Sequence, residues 1–517
     1  MAKRAQPVSA GPGYGAAGFL AALVLGTLAA VAWRAETGGG LSAADWAAVR
    51  FTILQASLSA LISVGLAIPV ARALARRRFA GRSALIALLG VPFILPVIVA
   101  IFGLLEVFGR AGWISSLLGT FGLDPIRIYG LHGVVLAHVF LNLPLATRLI
   151  LQGWQEVPAE RFRLAAQLGF DAPAMFRLIE WPLLRQVIPG ALAVVFAICL
   201  TSFAVALTLG GGPKATTIEL GIYQAFRFEF DLGRAALLSG LQILIATAAA
   251  MVAIRLAQGT GFGTGLDRSL RRWDGRTTLA RLTDTVWIAL AATFLLLPLG
   301  AIVASGVPGF AGLPFVVWKA AGVSLLVATA STLLLLLAAL PMAAAIATGR
   351  HSIEVAGLLG LAASPLVIGT GLFILIRPVA DPFLLALPVT ALVNALMSLP
   401  FAMRILVPRA RDIVERYGKL GLSLDMARGP FLWRVFLPRM RAQIGFAAGL
   451  GMALSIGDLG VITLFADPDI ATLPLQIYRL MGSYQMEAAA GGALLLLLLS
   501  VGTFWLLDRG GRYHAEV

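Results

Sequence analysis

Cysteine, histidine and charge are all scarce in this chain. A single cysteine, Cys199, in 517 residues excludes an intrachain disulfide framework. It falls within an apolar stretch, where a small core residue is the expected role. Four histidines, His132 and His138 among them, are not grouped with Cys, Asp or Glu at ligand spacing, so no metal site is expected. Only 13% of the residues are charged and 59% are hydrophobic, which excludes an ordinary soluble globular protein. The phosphate-cradling pattern Gly-x4-Gly-Lys-Ser/Thr is missing as well. Gly418-Lys419 lacks both the upstream glycine and the following hydroxyl. If ATP is involved at all, its hydrolysis is therefore expected of a partner.

What the chain has in quantity is apolar runs of roughly 20 residues, each long enough to cross a ~30 Å hydrocarbon core. Twelve are expected, at about 13–33, 51–74, 84–108, 131–153, 187–210, 235–256, 283–306, 316–348, 354–377, 384–408, 442–465 and 486–507. The stretch 316–348 is too long for one straight span, so part of it is expected outside the membrane. The net charge of +15 is explained by topology. With Lys3 and Arg4 on the cytoplasmic side, alternating spans place 30 of the 40 Lys and Arg on that same side. This positive-inside bias orients the chain with both termini cytoplasmic and argues against nucleic-acid binding. The first apolar run lacks a convincing small-residue cleavage site and is read as a retained helix.

The chain repeats itself. Thr208-Leu209-x3-Pro213-x3-Thr217-x4-Ile222-Tyr223 returns 255 positions later as Thr463-Leu464-x3-Pro468-x3-Thr472-x4-Ile477-Tyr478. At an offset of 256, Leu143-Pro144 with Arg148 matches Leu399-Pro400 with Arg404, and Pro182 with Arg185 matches Pro438 with Arg441. Leu95-Pro96 and Ser364-Pro365 also correspond. Six spans per half make these parallel repeats about an axis along the membrane normal. The expected division is a first half at 1–257, a Gly- and Arg-rich cytosolic linker at 258–281 and a second half at 282–517. The expected fold is all-α and polytopic, with about 12 transmembrane helices in two parallel six-helix halves.

Each half carries a basic amphipathic loop after its fourth span, at about 156–183 and 411–440. In the first, Glu156 to Leu168 reads as a helix with Phe162, Leu164, Ala165 and Leu168 on one side. Gly169 can end it in a left-handed conformation, and Asp171 is placed to cap a second short helix with Pro173 near its start. The small residues Ala165, Ala166 and Gly169 would admit another protein's surface closely.

These loops resemble the Glu-Ala-Ala-x3-Gly-x9-Ile-x-Leu-Pro loop of bacterial ABC importer permeases, which docks on an ATPase subunit. The first copy keeps Ala165, Gly169, Ile179 and Pro182, with Arg163, Leu164 and Trp181 at other family positions. The second has Lys419, Leu420, Gly421 and Asp425 in the corresponding places and keeps Leu437-Pro438. Segments such as Leu164-Ala-Ala-Gln-Leu-Gly169, Gly210-Gly-Gly-Pro-Lys-Ala-Thr-Thr-Ile-Glu-Leu220 and Ser455-Ile-Gly-Asp458 are similar to the fused permeases of thiamine (thiamine pyrophosphate) importers. Fused ferric-iron permeases share the architecture and are the rival reading. The resemblance implies a periplasmic substrate-binding protein and an ATPase homodimer on the cytoplasmic face, with ATP and Mg2+ held by that ATPase and no cofactor bound by this chain. It implies residence in the bacterial inner membrane, surrounded by lipid. On the first loop it assigns ATPase coupling to Arg163, Ala165, Ala166, Gln167, Gly169 and Asp171; on the second, to Lys419, Ser423 and Asp425.

Charges inside spans are expensive and so are functional candidates. Asp458, with Ser455, Ser202 and Thr201, is a candidate for the substrate pathway, and Phe203 is its counterpart at offset 255. Glu106 reads as a helix-surface or interfacial acid paired with Arg110. The repeated outer segment supplies candidates for docking the binding protein: Pro213, Thr217 and Tyr223, with Pro468, Thr472 and Tyr478. A proton-coupled secondary transporter would share the parallel repeat but would not need the two knobs. A membrane enzyme would need a cluster of His, Asp or Glu that the spans do not offer.

Overall fold

A computed structural model describes residues 7–35, 40–256, 277–350, 352–358, 360, 364–426, 428–465 and 470–512. Among the described residues there is no strand, and 11 helices are long and apolar enough to span a membrane. A further apolar helix of 12 residues, Pro365–Ile376, completes the twelve expected.

The first half runs α1 (Gly11–Ala35), α2 (Ala43–Arg76), α3 (Val97–Phe108), α4 (Leu131–Glu156), α5 (Ala159–Gln167), α6 (Trp181–Leu200), α7 (Phe203–Leu209), α8 (Ile218–Arg227) and α9 (Leu232–Leu256). The second runs α10 (Thr278–Ala311), α11 (Phe315–Ala347), α12 (Pro365–Ile376), α13 (Ala386–Ser423), α14 (Leu437–Ile456), α15 (Gly460–Phe465), α16 (Leu473–Gly482) and α17 (Met486–Arg512). The halves correspond element by element, except that α13 covers both α4 and α5. The cause is local. Pro158 disfavours helical backbone at Val157 and separates α4 from α5, whereas Val414 stands at the matching position and α13 continues for 38 residues.

Several expectations are redrawn. The third span of each half is short, because Pro92 and Pro96 break the stretch 84–108 and Pro365 starts α12 afresh. The stretch 316–348 is one unbroken helix of 33 residues, about 50 Å at 1.5 Å per residue, so it is tilted or projects beyond a ~30 Å core. The fifth span of each half is interrupted, at Thr201–Ser202 and at Gly457–Leu459. Of the expected linker, 258–276 lie outside the described residues. Its last residues already belong to α10, whose cap is Thr277 Oγ1 accepting from the Ala280 N–H. Lys3, Arg4 and Pro468 also lie outside the described residues.

The halves are interlocked. Helix α1 packs on α11 and α12 of the other half, and α10 packs on α2 and α3 in return. Close backbone approach makes this feasible: a Cβ on Gly371 of α12 would lie 2.6 Å from the Thr27 carbonyl oxygen of α1. The symmetric contact places Gly103 of α3 against the Pro298 carbonyl of α10 at 2.7 Å. Small-residue contacts of this kind replace the hydrophobic effect, which is weak between helices in lipid. Glu106 accepts a hydrogen bond from Ser305 Oγ of α10 at 2.7 Å, so it ties the halves together. Arg76 at the end of α2 and Arg77 just after it both bind buried Asp284 of α10, at 2.6 and 2.7 Å.

Candidate functional site

The interruption of the second half's fifth span meets the starts of both short third spans. A Cβ on Gly457 would come within 2.9 Å of Pro96, and one on Gly460 within 3.5 Å of Pro365. Helices α3 and α12 each hold 12 residues, so these prolines lie about 18 Å from the far ends of their helices. Asp458 sits between them. Its Oδ1 accepts the Gly460 N–H at 3.2 Å, while Oδ2 is buried with no hydrogen-bond partner among the described residues. Since α6 and α14 match at an offset of 256, Asp458 pairs with Ser202 rather than with Phe203. Ser202 and Asp458 thus occupy the same break in the two halves.

A broken helix strands carbonyls that must find donors. Gln55 Nε2 donates to the Cys199 carbonyl and Gln242 Nε2 to the Leu200 carbonyl, both at 3.0 Å. Asn394 Nδ2 donates to Ser455 Oγ at 2.9 Å, which gives the buried Ser455 a structural contact. Thr201 Oγ1 donates to the Ile198 carbonyl at 3.4 Å. His138, at the position matching Asn394, is buried within 3.2 Å of Ser59 Oγ. Of the four pathway candidates, Asp458 alone has a buried oxygen without a partner.

On the opposite side from the α3 and α12 far ends, the two loops form matching knobs. Leu164 and Leu168 are 56% and 62% exposed, and so are Leu420 and Leu424 at an offset of 256. The turn after each knob is left-handed, with φ +67° at Gly169 and +53° at Asp425, so the aspartate keeps the geometry that the glycine has. Asp171 caps the next turn by accepting the Ala174 N–H at 2.9 Å. Arg163, Ala166, Gln167, Gly169, Asp171, Lys419, Ser423 and Asp425 are all exposed. Ala165 is not: with Phe162 it turns inward onto Val157 and Met175. The expected apolar side therefore splits, Phe162 and Ala165 anchoring the knob while Leu164 and Leu168 point outward. The bases differ. In the first loop Glu180, wholly buried, binds Arg72 of α2 at 2.7 Å. In the second, Phe436 fills the matching place, Arg439 lies 4.0 Å from the Tyr417 ring centroid, and the Pro7 carbonyl accepts the Arg428 N–H at 2.8 Å.

The repeated segments build two short helices, α8 and α16. Each is anchored by a hydroxyl of its second span: the Ile218 N–H donates to Thr52 Oγ1 at 2.9 Å, the Leu473 N–H to Ser324 Oγ at 2.8 Å. Thr217 caps α8 by accepting the Leu220 N–H at 3.2 Å, whereas Thr472 stands at the N-cap position of α16 without a side-chain cap bond; both are buried, and Tyr223 and Tyr478 are half-buried. The two threonines therefore leave almost no open surface, and the two tyrosines leave part of theirs. The backbone at Pro213 begins a short 3-10 turn ahead of α8. A cavity of about 600 Å³ lies at this end, lined by Phe226, Phe373, Phe383, Arg227, Arg377 and Asp381 among others.

Sequence reasoning missed several buried acids, and among them Glu219 has no ion-pair partner within the described residues. Glu219, the second residue of α8, is wholly buried and neither carboxylate oxygen has a well-formed hydrogen bond among the described residues. Its polar neighbours are Ser364 and Gln242. The available signal was a glutamate inside a repeated apolar segment whose other copy carries Pro474.

No protein-family model matches the chain. Among curated proteins, the thiamine transport system permease protein of Escherichia coli is 40% identical over 530 residues, covering 98% of either chain. The protein of the same name from Brucella abortus is 38% identical over 515 residues, 96% of this chain and 94% of that one. A sulfate transport system permease protein of Synechococcus elongatus is 24% identical over 213 residues, 40% of this chain but 74% of its own length.

Proposed function

Because the chain belongs to the family of thiamine transport system permeases, we propose that it carries thiamine or its phosphates inward across the bacterial inner membrane as the translocation subunit of an ATP-driven importer. The observation that carries the mechanism is the pair of exposed Leu-x3-Leu knobs with left-handed turns, set on one face by a two-fold repeat. A separate ATPase homodimer has two equivalent surfaces, and two matching knobs are what such an engine can grip. The sulfate permease, most of whose length aligns with less than half of this chain, supports reading each half as one permease unit.

In this mechanism ATP and Mg2+ reside on the ATPase dimer. Its closure draws the knobs together and rocks the halves about the interlocked α1 and α10, opening the outer mouth to a periplasmic binding protein. Thiamine then passes the broken spans at Asp458 and Ser202, and hydrolysis returns the halves to the inward-facing state. Affinity comes from the binding protein and bias from ATP, so the pathway needs only weak contacts. Both termini and both knobs lie on the cytoplasmic side in this arrangement, in keeping with the charge bias.

The test is reconstitution. Proteoliposomes holding this chain and its ATPase, with ATP enclosed on the ATPase side, should accumulate labelled thiamine when the binding protein is supplied opposite. No accumulation above that of ATP-free vesicles would refute the assignment.

A further inference from the structure

We propose that Glu219 is a recognition point for the positively charged ring of the substrate, placed between the two halves and behind an aromatic gate. The proposal deepens the transport reading above and rests on it, since it takes the substrate to be an organic monocation such as the thiazolium of thiamine.

Glu219 is 0% exposed, at the start of α8. Its neighbours come from two other elements: Gln242 from α9, and Ser364, the N-cap of α12 in the opposite half. Both neighbours already have structural duties. Gln242 Nε2 donates to the Leu200 carbonyl at the helix break, and Ser364 Oγ accepts the Val367 N–H at 3.2 Å. No Lys or Arg is paired with Glu219 among the described residues. A buried carboxylate without a cation is costly, by several kcal/mol even after relaxation. Such a residue within a membrane span bundle marks a path for substrate or ions.

The repeat supplies an internal control. Where the first half has Glu219 and Gln242, the second has Pro474 and Leu497 at an offset of 255, and the counterpart of Ser364 is Leu95. The short helix and its hydroxyl anchor recur in both halves, yet only one interface carries the polar trio. The fold therefore does not require an acid there. An asymmetric cargo crossing a two-fold scaffold does call for one-sided recognition.

Access runs along the same two helices. Seven residues beyond Glu219, about 10 Å along α8, lies Phe226. Its ring meets that of Phe373 on α12 edge-on, with centroids 4.5 Å apart. These buried rings come from opposite halves, and both line the cavity of about 600 Å³. Parting the halves on this side separates Phe226 from Phe373 and exposes Glu219 to the mouth. The ring faces offer a cation–π surface on the way in, and the carboxylate offers the counter-charge.

The experiment compares uptake of thiamine with that of its neutral analogue, in which a thiophene replaces the thiazolium, by the complete transporter in proteoliposomes. The same binding protein and ATPase are used throughout, so their own selectivity cancels between variants. Wild-type uptake of thiamine tests the transport reading alone; its absence refutes that reading and this proposal with it. Given wild-type uptake, Glu219→Gln should lower the thiamine-to-analogue ratio at least tenfold, and Glu219→Asp should restore most of it. Gln242→Leu, which installs the side chain of the other half, should move the ratio in the same direction. An unchanged ratio in Glu219→Gln, or an equal fall for both solutes, overturns the proposal. Should Glu219→Gln not assemble, an unchanged ratio in Gln242→Leu overturns it equally.

Discussion

Gly421 and Phe431 are in direct contact: a Cβ added to Gly421 would lie 2.6 Å from Phe431 Cδ2. The same two places in the first half hold Ala165 and Met175, also buried together. The pairs are a volume exchange, a larger ring opposite a smaller residue. The second knob, although it departs from the first in sequence, is packed to a similar position.

This exchange predicts a rescue. Gly421→Ala should weaken the second knob by about 1–3 kcal/mol through overpacking and reduce ATP-dependent uptake. Adding Phe431→Met, which copies the first loop's pair, should recover most of the loss. Melting temperatures and uptake of the two single variants and the double variant form the cycle that measures the coupling. Additive losses would show that the two residues do not share a packing site.

The exposed leucines predict how the ATPase is gripped. Leu168→Asp and Leu424→Asp remove apolar surface that the fold itself leaves exposed, so the permease should fold normally and lose co-purification with its ATPase. The buried Cys199 leaves cysteines introduced at Leu168 or Leu424 as the reactive ones, and each should crosslink to the ATPase. Normal co-purification of both Asp variants would place the docking surface elsewhere.

The base of the first knob depends on Arg72, which binds buried Glu180. Arg72→Ala removes an ion-pair partner of that carboxylate, and breaking a pair of this kind costs on the order of 3 kcal/mol. The expected result is a lower melting temperature in detergent together with ATPase activity no longer stimulated by the loaded binding protein. A variant with wild-type melting would show that Glu180 is held adequately by its other contacts.

The left-handed turn predicts a positional effect at Gly169. No atom crowds it, so Gly169→Val acts through backbone strain, about 1–2 kcal/mol at φ +67°. Uptake should fall sharply with insertion unaffected, whereas Gly169→Asp, the residue of the second loop, should be tolerated. Equal activity of the two variants would remove the turn from the coupling mechanism.

Much of this arrangement is legible in the sequence because it is written twice. The offset of 256 located both knobs, and Gly169 and Asp171 gave the turn and cap that the structure shows. What escaped is what hydropathy averages away. A 20-residue window does not register that Pro96 and Pro365 halve the third spans, or that α6 and α14 stop before the stretch ends. The register between α6 and α7 changes at the break, so a constant offset paired Asp458 with Phe203 instead of Ser202. Thr217 and Thr472 looked like surface residues because they repeat, yet they repeat as buried residues at the N-cap positions of α8 and α16. Glu219 was hidden in plain text: one acid among apolar residues says little until its partners, Gln242 and Ser364, are brought to it from elsewhere in the chain.

The most direct test of the account is uptake of labelled thiamine by cells with and without this chain, with and without depletion of ATP. Loss of high-affinity uptake on deletion, and equal loss on ATP depletion, is the result predicted. Thiamine uptake that persists at its full rate in the deletion strain would contradict the central claim that this chain is the thiamine pathway.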